Sequence, residues 1–379
     1  MDKIFLDSAS TTYCEDEVVN VMVDCLKNNY GNPSSTHYFG REASKVLGDT
    51  KLTISKYLNC KSNELYFTSS GTEANNLAIF GIARANKDKG KHIITTYTEH
   101  QSIIDSTKQL EKEGFSVTYL KADKTGKINI EDVEKNIRQD TILISIMLVN
   151  NETGTINDIK KIAEVVKNQD HNIILHTDAV AGLGMVDIDI KDLNVDALSI
   201  SAQKIYGPKG IGCLYIKQGI VFYPIIFGGN QENGKRAGTA NVPAIAGFGK
   251  AMELLSKNER DLRQKIKQIK QDFVSNLSGE KGIRINGENT VDTILSVTFD
   301  NIDNEIMQTM LDMNGVCCSL GSACTAGSVE PSHALLGMGF DNKEAKSTVR
   351  FSFHKSITRE QIVYATKIIK ESVKRLRNN

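Results

Sequence analysis

The sequence lacks net charge: its 46 basic residues are balanced by 46 acidic ones in a chain of 379. That balance gives no electrostatic basis for capturing nucleic acid or an anionic membrane. It also lacks an apolar leader. The opening Met1-Asp2-Lys3-Ile4-Phe5-Leu6-Asp7 meets an acidic residue at once, and no long apolar run follows, so neither a secretory signal nor a membrane span is expected and the cytoplasm is the expected compartment. A dense cysteine framework is missing too: the seven cysteines, an odd number, are scattered as free thiols would be. Cys317, Cys318 and Cys324 cluster, but without a neighbouring CxxC or HxxxH their spacing is no zinc pattern, and no metal is expected in the resting protein. Internal repeats and low-complexity stretches are absent as well. The partners implied are small molecules and proteins.

What is present is alternation. Apolar, β-branched runs (Glu64–Thr68, His92–Thr96, Thr141–Leu148, Ile173–Thr177) alternate with longer amphipathic ones (Glu73–Asn86, Gln101–Glu113, Asn157–Asn168), which reads as an α/β domain built on a largely parallel sheet. Ligands in such sheets sit at the strand ends. Ala197–Ser201 and Gly212–Ile216 read as two more strands around a tight connection at Gly207, Pro208 and Gly210. A chain this long exceeds what one core usually serves, roughly 250 to 300 residues, and a long helical stretch from Ala244 to Leu277 is the natural boundary. The expectation is a large domain over residues 14–258 and a smaller α+β domain formed by 1–13 with 259–379. In the smaller domain, strands are expected at Thr293–Phe299 and Ser347–Phe353, and helices at Glu305–Asn314 and Arg359–Arg377. Small and polar residues from Gly321 to Ser328 suggest a mobile loop carrying Cys324. Cys317 and Cys318 lie on an apolar run and read as core.

Asp178 and Lys204 each follow an apolar run and so stand at strand ends. A lysine that links to pyridoxal phosphate and a carboxylate that pairs with its ring nitrogen are the minimal set for that cofactor. A capping aspartate and a surface lysine are the plainer reading of the same two residues. Ser69-Ser70-Gly71-Thr72-Glu73 lies between a strand and a helix, where Thr72 and the backbone around Gly71 can face a phosphate, although Thr72 and Asn75 also make an ordinary cap. His100 follows a strand and can present its ring to a planar group or simply cap a helix.

Longer motifs bind these positions together: Leu6-Asp7-Ser8-Ala9-Ser10-Thr11-Thr12, Gly31-Asn32-Pro33-Ser34-Ser35, Thr68 to Asn76, Thr98-Glu99-His100, Val149 to Gly154, Thr177-Asp178-Ala179, Ser199 to Gly210, Arg236-Ala237-Gly238-Thr239, Gly321-Ser322-Ala323-Cys324, Pro331-Ser332 and Arg350-Phe351-Ser352. With them the sequence resembles, nearly end to end, the cysteine desulfurases of the class V aminotransferase family, in the branch with a long cysteine-bearing loop that serves iron-sulfur cluster assembly and tRNA thiolation. The resemblance implies fold type I of the pyridoxal-phosphate-dependent transferases. It also implies an enzyme that converts L-cysteine to L-alanine and passes the sulfur, as a persulfide, to acceptor proteins. Lys204 would then carry the cofactor, Asp178 pair with the ring nitrogen, His100 stack on the ring and relay protons, and Asn151 touch the ring hydroxyl. Gly71, Thr72 and Ser201 would hold the phosphate, and Thr239 would reach it from a neighbouring subunit, which makes a homodimer the expected state. Arg350, with Asn32, would bind the substrate carboxylate, and Cys324 would be the nucleophile.

Two positions depart from the family pattern. Gln203 stands where the family usually has histidine, and Ala181 where it usually has a glutamine that donates to the ring hydroxyl. Both bear on cofactor affinity and electronic tuning. Rival readings are a selenocysteine lyase or a cysteine sulfinate desulfinase of the same fold, or a weakly active sulfur-transfer scaffold.

Overall fold

The computed structural model describes residues 3–321 and 330–377. The apolar runs form β1 (Ile4–Phe5), β2 (Leu65–Thr68), β3 (His92–Thr96), β4 (Ser116–Leu120), β5 (Thr141–Ser145), β6 (Ile174–Asp178), β7 (Ala197–Ser201), β8 (Gly212–Ile216), β9 (Ile283–Asn286), β10 (Ile294–Phe299), β11 (Val316–Cys317) and β12 (Thr348–Ser352). Seven of them make the main sheet, in the order β2-β8-β7-β6-β5-β3-β4. Only β8 runs against its neighbours; the pairs from β7 to β4 are parallel.

Strands β3, β5, β6, β7 and β8 are buried along their whole length, because helices cover both faces, and this is why they read as continuous apolar runs rather than alternating ones. The helix Gly71–Asn86 buries Leu77, Ile79 and Ile82 on one face of the sheet. The second lobe is the antiparallel sheet β12-β10-β9 with the helices Asn304–Met313 and Arg359–Arg377.

One helix, Val242–Leu277, serves both lobes. Phe248 in its first half is fully buried, and Phe273 in its second half packs against Phe351 and Phe353 at 5.3 and 5.2 Å between ring centres. Removing such a ring costs about 3–5 kcal/mol. The division expected after residue 258 falls inside this helix. The N-terminal strand β1 pairs in parallel with β11, and Asp7 bridges to Ser352 at the end of β12.

Two local expectations are corrected. The run Thr141–Leu148 is a strand only to Ser145. Beyond it, Ile146 and Leu148 still donate to the carbonyls of His176 and Asp178, at 3.2 and 2.9 Å, as the chain bends into the strand-end cleft. Cys317 is half-buried rather than core, its thiol 3.5 Å from Asp312 Oδ1.

Candidate active site

The carboxyl ends of β5, β6 and β7 open into a cleft that holds, open mouth included, about 740 Å³ of empty space. Gly71, Thr72, His100, Asn151, Asp178, Ala181, Ser201, Gln203, Lys204 and Arg350 all line it. Asn32 and Thr239 do not. Asn32 is exposed and takes a hydrogen bond from Ser34 N; Thr239 is exposed beside Arg236 in a separate, smaller cleft. Cys324 lies outside the described residues.

The helix Gly71–Asn86 begins at the cleft floor. Ser70 caps it by accepting from Glu73 N at 3.1 Å. A side chain at position 71 would put its Cβ 2.8 Å from Val180 Cγ2, so glycine is what lets the helix start approach the loop after β6. Glu73 takes two hydrogen bonds from Arg236, at 2.8 and 3.2 Å, and one from Ser69 N at 2.8 Å. Burial alone would raise the Glu73 carboxyl, but the bonds from Arg236 and Ser69 outweigh it and hold the group below its ordinary range. The Arg236-Ala237-Gly238-Thr239 motif is thereby fastened to the helix start.

Asp178 ends β6, nearly buried, and accepts from Asn75 Nδ2 at 2.6 Å and from Val180 N at 2.9 Å. Lys204 closes the 3₁₀ turn Ala202–Lys204 after β7, and its Nζ donates to the carbonyls of Ala9 and Ser10. Thr12 clasps this turn, taking its Oγ1 and N to the carbonyl of Gln203 at 3.0 and 2.9 Å. Next to it, Tyr206 holds a left-handed backbone, φ 62°, uncommon for a bulky residue. His100 caps the helix Gln101–Lys112, its Nδ1 accepting from Ser102 N at 3.1 Å. The same residue also lines the cleft.

Arg350 comes from β12 of the other lobe and is 3% exposed. Its Nη1 donates to Asn151 O at 2.8 Å, and Nη2 to Asp7 Oδ1 and Ser10 Oγ at 3.0 and 2.8 Å. Its Nε has no partner among the described residues. A buried, unsatisfied guanidinium nitrogen beside an open cleft is suited to a ligand carboxylate. Behind the cleft, burial pushes the Glu99 carboxyl up to about 8 against hydrogen bonds from Met147 N and Thr96 Oγ1.

Four residues of the cleft region had no part in the site assigned from sequence: Asp7, Ser10, Asn75, which was read only as helix capping, and Ser102. The first three sit inside quoted motifs, so the motifs themselves were the signal; Ser102 carries none, because its partners are set by the helix turn.

The donor set fits pyridoxal phosphate. A helix start opened by Gly71, with the hydroxyls of Thr72 and Ser201, suits a phosphate; the Asp178 carboxylate suits a protonated ring nitrogen; and Lys204 supplies an amine.

The family model described as "Aminotransferase class-V" matches residues 4–364. A curated relative from Clostridium botulinum, "Cysteine desulfurase IscS", is 42% identical, the match covering 99% of this chain and 95% of the relative. The solved "NIFS-LIKE PROTEIN" superposes with a TM-score of 0.93 at 33% identity, over 99% of this chain and all of that one. "SspA in complex with cysteine" gives a TM-score of 0.83 at 35% identity, over 93% of this chain and 99% of that one. The chain belongs to the class-V aminotransferase family, in its cysteine desulfurase branch.

Proposed function

We propose that this protein takes sulfur from L-cysteine with pyridoxal phosphate as cofactor, releases L-alanine, and carries the sulfur on Cys324 as a persulfide for an acceptor protein. The observation that carries the reading is the meeting in one cleft of Lys204, Asp178, His100 and the helix start at Gly71 with the buried Arg350 of the opposite lobe. Relatives of this family work with pyridoxal phosphate.

When bound, the cofactor supplies an electron-withdrawing ring that eases loss of the substrate's α-proton. Asp178, oriented by Asn75 and Val180, accepts a hydrogen bond from the ring nitrogen and keeps it protonated. Thr72, Ser201 and the first backbone N–H groups of the helix hold the phosphate, with Gln203 beside them. Arg350 takes the substrate carboxylate, and Lys204 holds the cofactor and then removes the α-proton. The Cys324 thiolate attacks the substrate sulfur: an S–S bond forms as the C–S bond breaks, the electron pair goes to the substrate carbon, and protonation of that carbon, with return of the α-proton by Lys204, gives alanine. No outside oxidant or reductant is needed.

Both described roots of the segment that contains Cys324 lie at the cleft. Ser319 exchanges backbone hydrogen bonds with Arg350, at 3.1 and 2.7 Å, and Ser332 Oγ donates to Glu152, the neighbour of Asn151. The other two cysteines of the cluster are poorer nucleophiles: burial and then Asp312 push the Cys317 thiol up, and burial pushes that of Cys318 up further. Thr239, exposed and away from its own cleft, is placed as a residue serving a neighbouring subunit would be. Phe227 and Tyr30, 82% and 67% exposed, are large apolar groups that a homodimer would cover. Among the described residues no helix is long and apolar enough to cross a membrane.

The test is alanine release from cysteine, selenocysteine and cysteine sulfinate by the purified protein, with persulfide trapped by an alkylating probe. Preference for cysteine, with a probe-labelled peptide containing Cys324, is expected. Alanine release that persists unchanged in Cys324→Ser, with the persulfide elsewhere, would refute the assignment.

A further inference from the structure

Behind the cleft a hydrogen-bonded chain joins His100 to Asp178 through two residues, Ser102 and Asn75, that the reaction above leaves unused or half-used. Asn75 Nδ2 lies 2.6 Å from Asp178 Oδ2 and 2.9 Å from Ser102 Oγ. Ser102 Oγ lies 2.8 Å from His100 Nδ1, and the backbone N of Ser102 lies 3.1 Å from the same ring nitrogen. Asn75 and Ser102 are 1% and 8% exposed, so the chain is protein-built rather than solvated.

The direction of every hydrogen bond in it follows from what each group can do. An ionised Asp178 can only accept, so Asn75 must turn its amide nitrogen to it, and the second hydrogen of that nitrogen goes to Ser102 Oγ. The serine hydroxyl therefore keeps its own hydrogen for His100 Nδ1. Independently, the backbone N–H of Ser102 can only donate, so Nδ1 must offer a lone pair. Both routes leave the ring proton of His100 on Nε2.

We propose that Ser102 and Asn75 are positioning residues of this site, fixing His100 in the tautomer that carries its proton on Nε2 and tying that choice to an ionised Asp178. The proposal rests on the reading of the cleft as the cofactor and substrate site. Its consequence is that the resting imidazole spends its lone pair on the helix start. A proton placed on Nδ1 would have to displace the bond from Ser102 N and reverse the one from Ser102 Oγ, which Asn75 already constrains. His100 therefore enters the reaction as a neutral ring with a directed N–H. Asp178, Lys204 and Arg350 line the cleft with His100, and Glu99 precedes it; all four stay in place in the variants below.

The experiment is nitrogen-15 NMR of histidine-labelled protein, cofactor-loaded and again after cofactor removal, with the His100 signals identified by their loss in His100→Gln. The expected parent spectrum shows Nε2 protonated and Nδ1 bare at neutral pH. Ser102→Ala removes one of the two donors to Nδ1 and is expected to raise the midpoint of His100 titration by about one pH unit, the tenfold effect of one ordinary hydrogen bond. Ser102→Thr, which keeps the hydroxyl, should restore it. In the loaded enzyme Ser102→Ala should lower kcat and leave KM for cysteine nearly unchanged, since Arg350 is untouched. A proton on Nδ1 in the parent overturns the proposal without any variant. So does an unchanged midpoint in folded Ser102→Ala. If the protein fails to bind pyridoxal phosphate while the tautomer and the Ser102→Ala shift are as expected, the positioning stands and the functional reading falls.

Discussion

The substitution Arg350→Lys isolates the carboxylate-binding role proposed for Arg350 of the opposite lobe. Truncation to alanine would confuse the result, because Asp7 would lose the cation it faces and breaking a buried pair costs about 3–5 kcal/mol in itself. Lysine keeps the charge but not the fork. In the parent, Nη2 donates to Asp7 and Ser10 and Nη1 gives one of its two hydrogens to Asn151 O, so Nε and the second hydrogen of Nη1 are the donors left over. One ammonium cannot satisfy Asp7 and Asn151 O and also meet a carboxylate in the plane of a guanidinium. The loss is at least one charge-assisted hydrogen bond, about 1.5–3 kcal/mol, or a roughly ten- to hundredfold rise in KM for L-cysteine. kcat should change less, because the carboxylate does not alter during the reaction. Steady-state sulfide release from L-cysteine and from cysteamine, which lacks the carboxylate, separates the effects. The parent should prefer cysteine by the factor that Arg350→Lys loses, and cysteamine should not distinguish the two proteins. An unchanged KM for cysteine in folded Arg350→Lys, or an equal loss with cysteamine, would refute the reasoning.

Borohydride reduction of the pyridoxal-phosphate-loaded protein followed by peptide mapping should fix the cofactor to Lys204; a label on Lys209, or none, removes the cofactor assignment. Cys317→Ser and Cys318→Ser should still form the persulfide, since both thiols are pushed up by burial, although Cys318→Ser is expected to melt earlier because it buries a hydroxyl. Trapping with an alkylating probe decides between them and Cys324. Glu99 predicts a pH dependence of stability: between its ordinary 4.5 and about 8 the folded protein keeps a proton that the unfolded chain gives up, so stability falls as pH rises through that window. Glu99→Gln, a neutral mimic of the protonated carboxyl, removes this dependence, so urea midpoints of parent and variant should agree near pH 4.5 and part as pH rises towards 8, the parent falling; parallel curves would show that Glu99 does not hold the proton.

Local pattern carried most of the fold. The fully covered strands β3, β5, β6 and β7 read as apolar runs because both of their faces are buried, and the motifs at their ends delivered Asp178 and Lys204 to one cleft. Pairings that only the tertiary structure creates were illegible. Asn75 meets Asp178 across 103 positions, and Asp7 meets Arg350 across 343. Neither spacing has a period that sequence can show. Ser102 looks like any polar residue in a helix's first turn until the residue that caps the helix is seen to line the cleft.

The N-terminal strip explains how a site drawn from two lobes keeps one spacing. Leu6 N donates to Cys317 O and Ala9 N to Ser352 Oγ, each at 2.8 Å, and these bonds fasten the strip to the second lobe. Three residues later Thr12 is bonded to Gln203 and accepts from Tyr206 N at 2.8 Å, which fastens it to the first. Between the two anchors, the carbonyls of Ala9 and Ser10 hold the Lys204 amine while Asp7 and Ser10 Oγ hold the Arg350 guanidinium. Sliding one lobe past the other would have to break one set of these bonds. An α-amino acid carries its amine and its carboxylate on the same carbon, so the group that works at the amine and the group that grips the carboxylate must stand at a fixed separation. Here Lys204 and Arg350 are both held by the same four residues, Asp7 to Ser10, so under the proposed reaction the strip would set the spacing for an α-amino acid substrate.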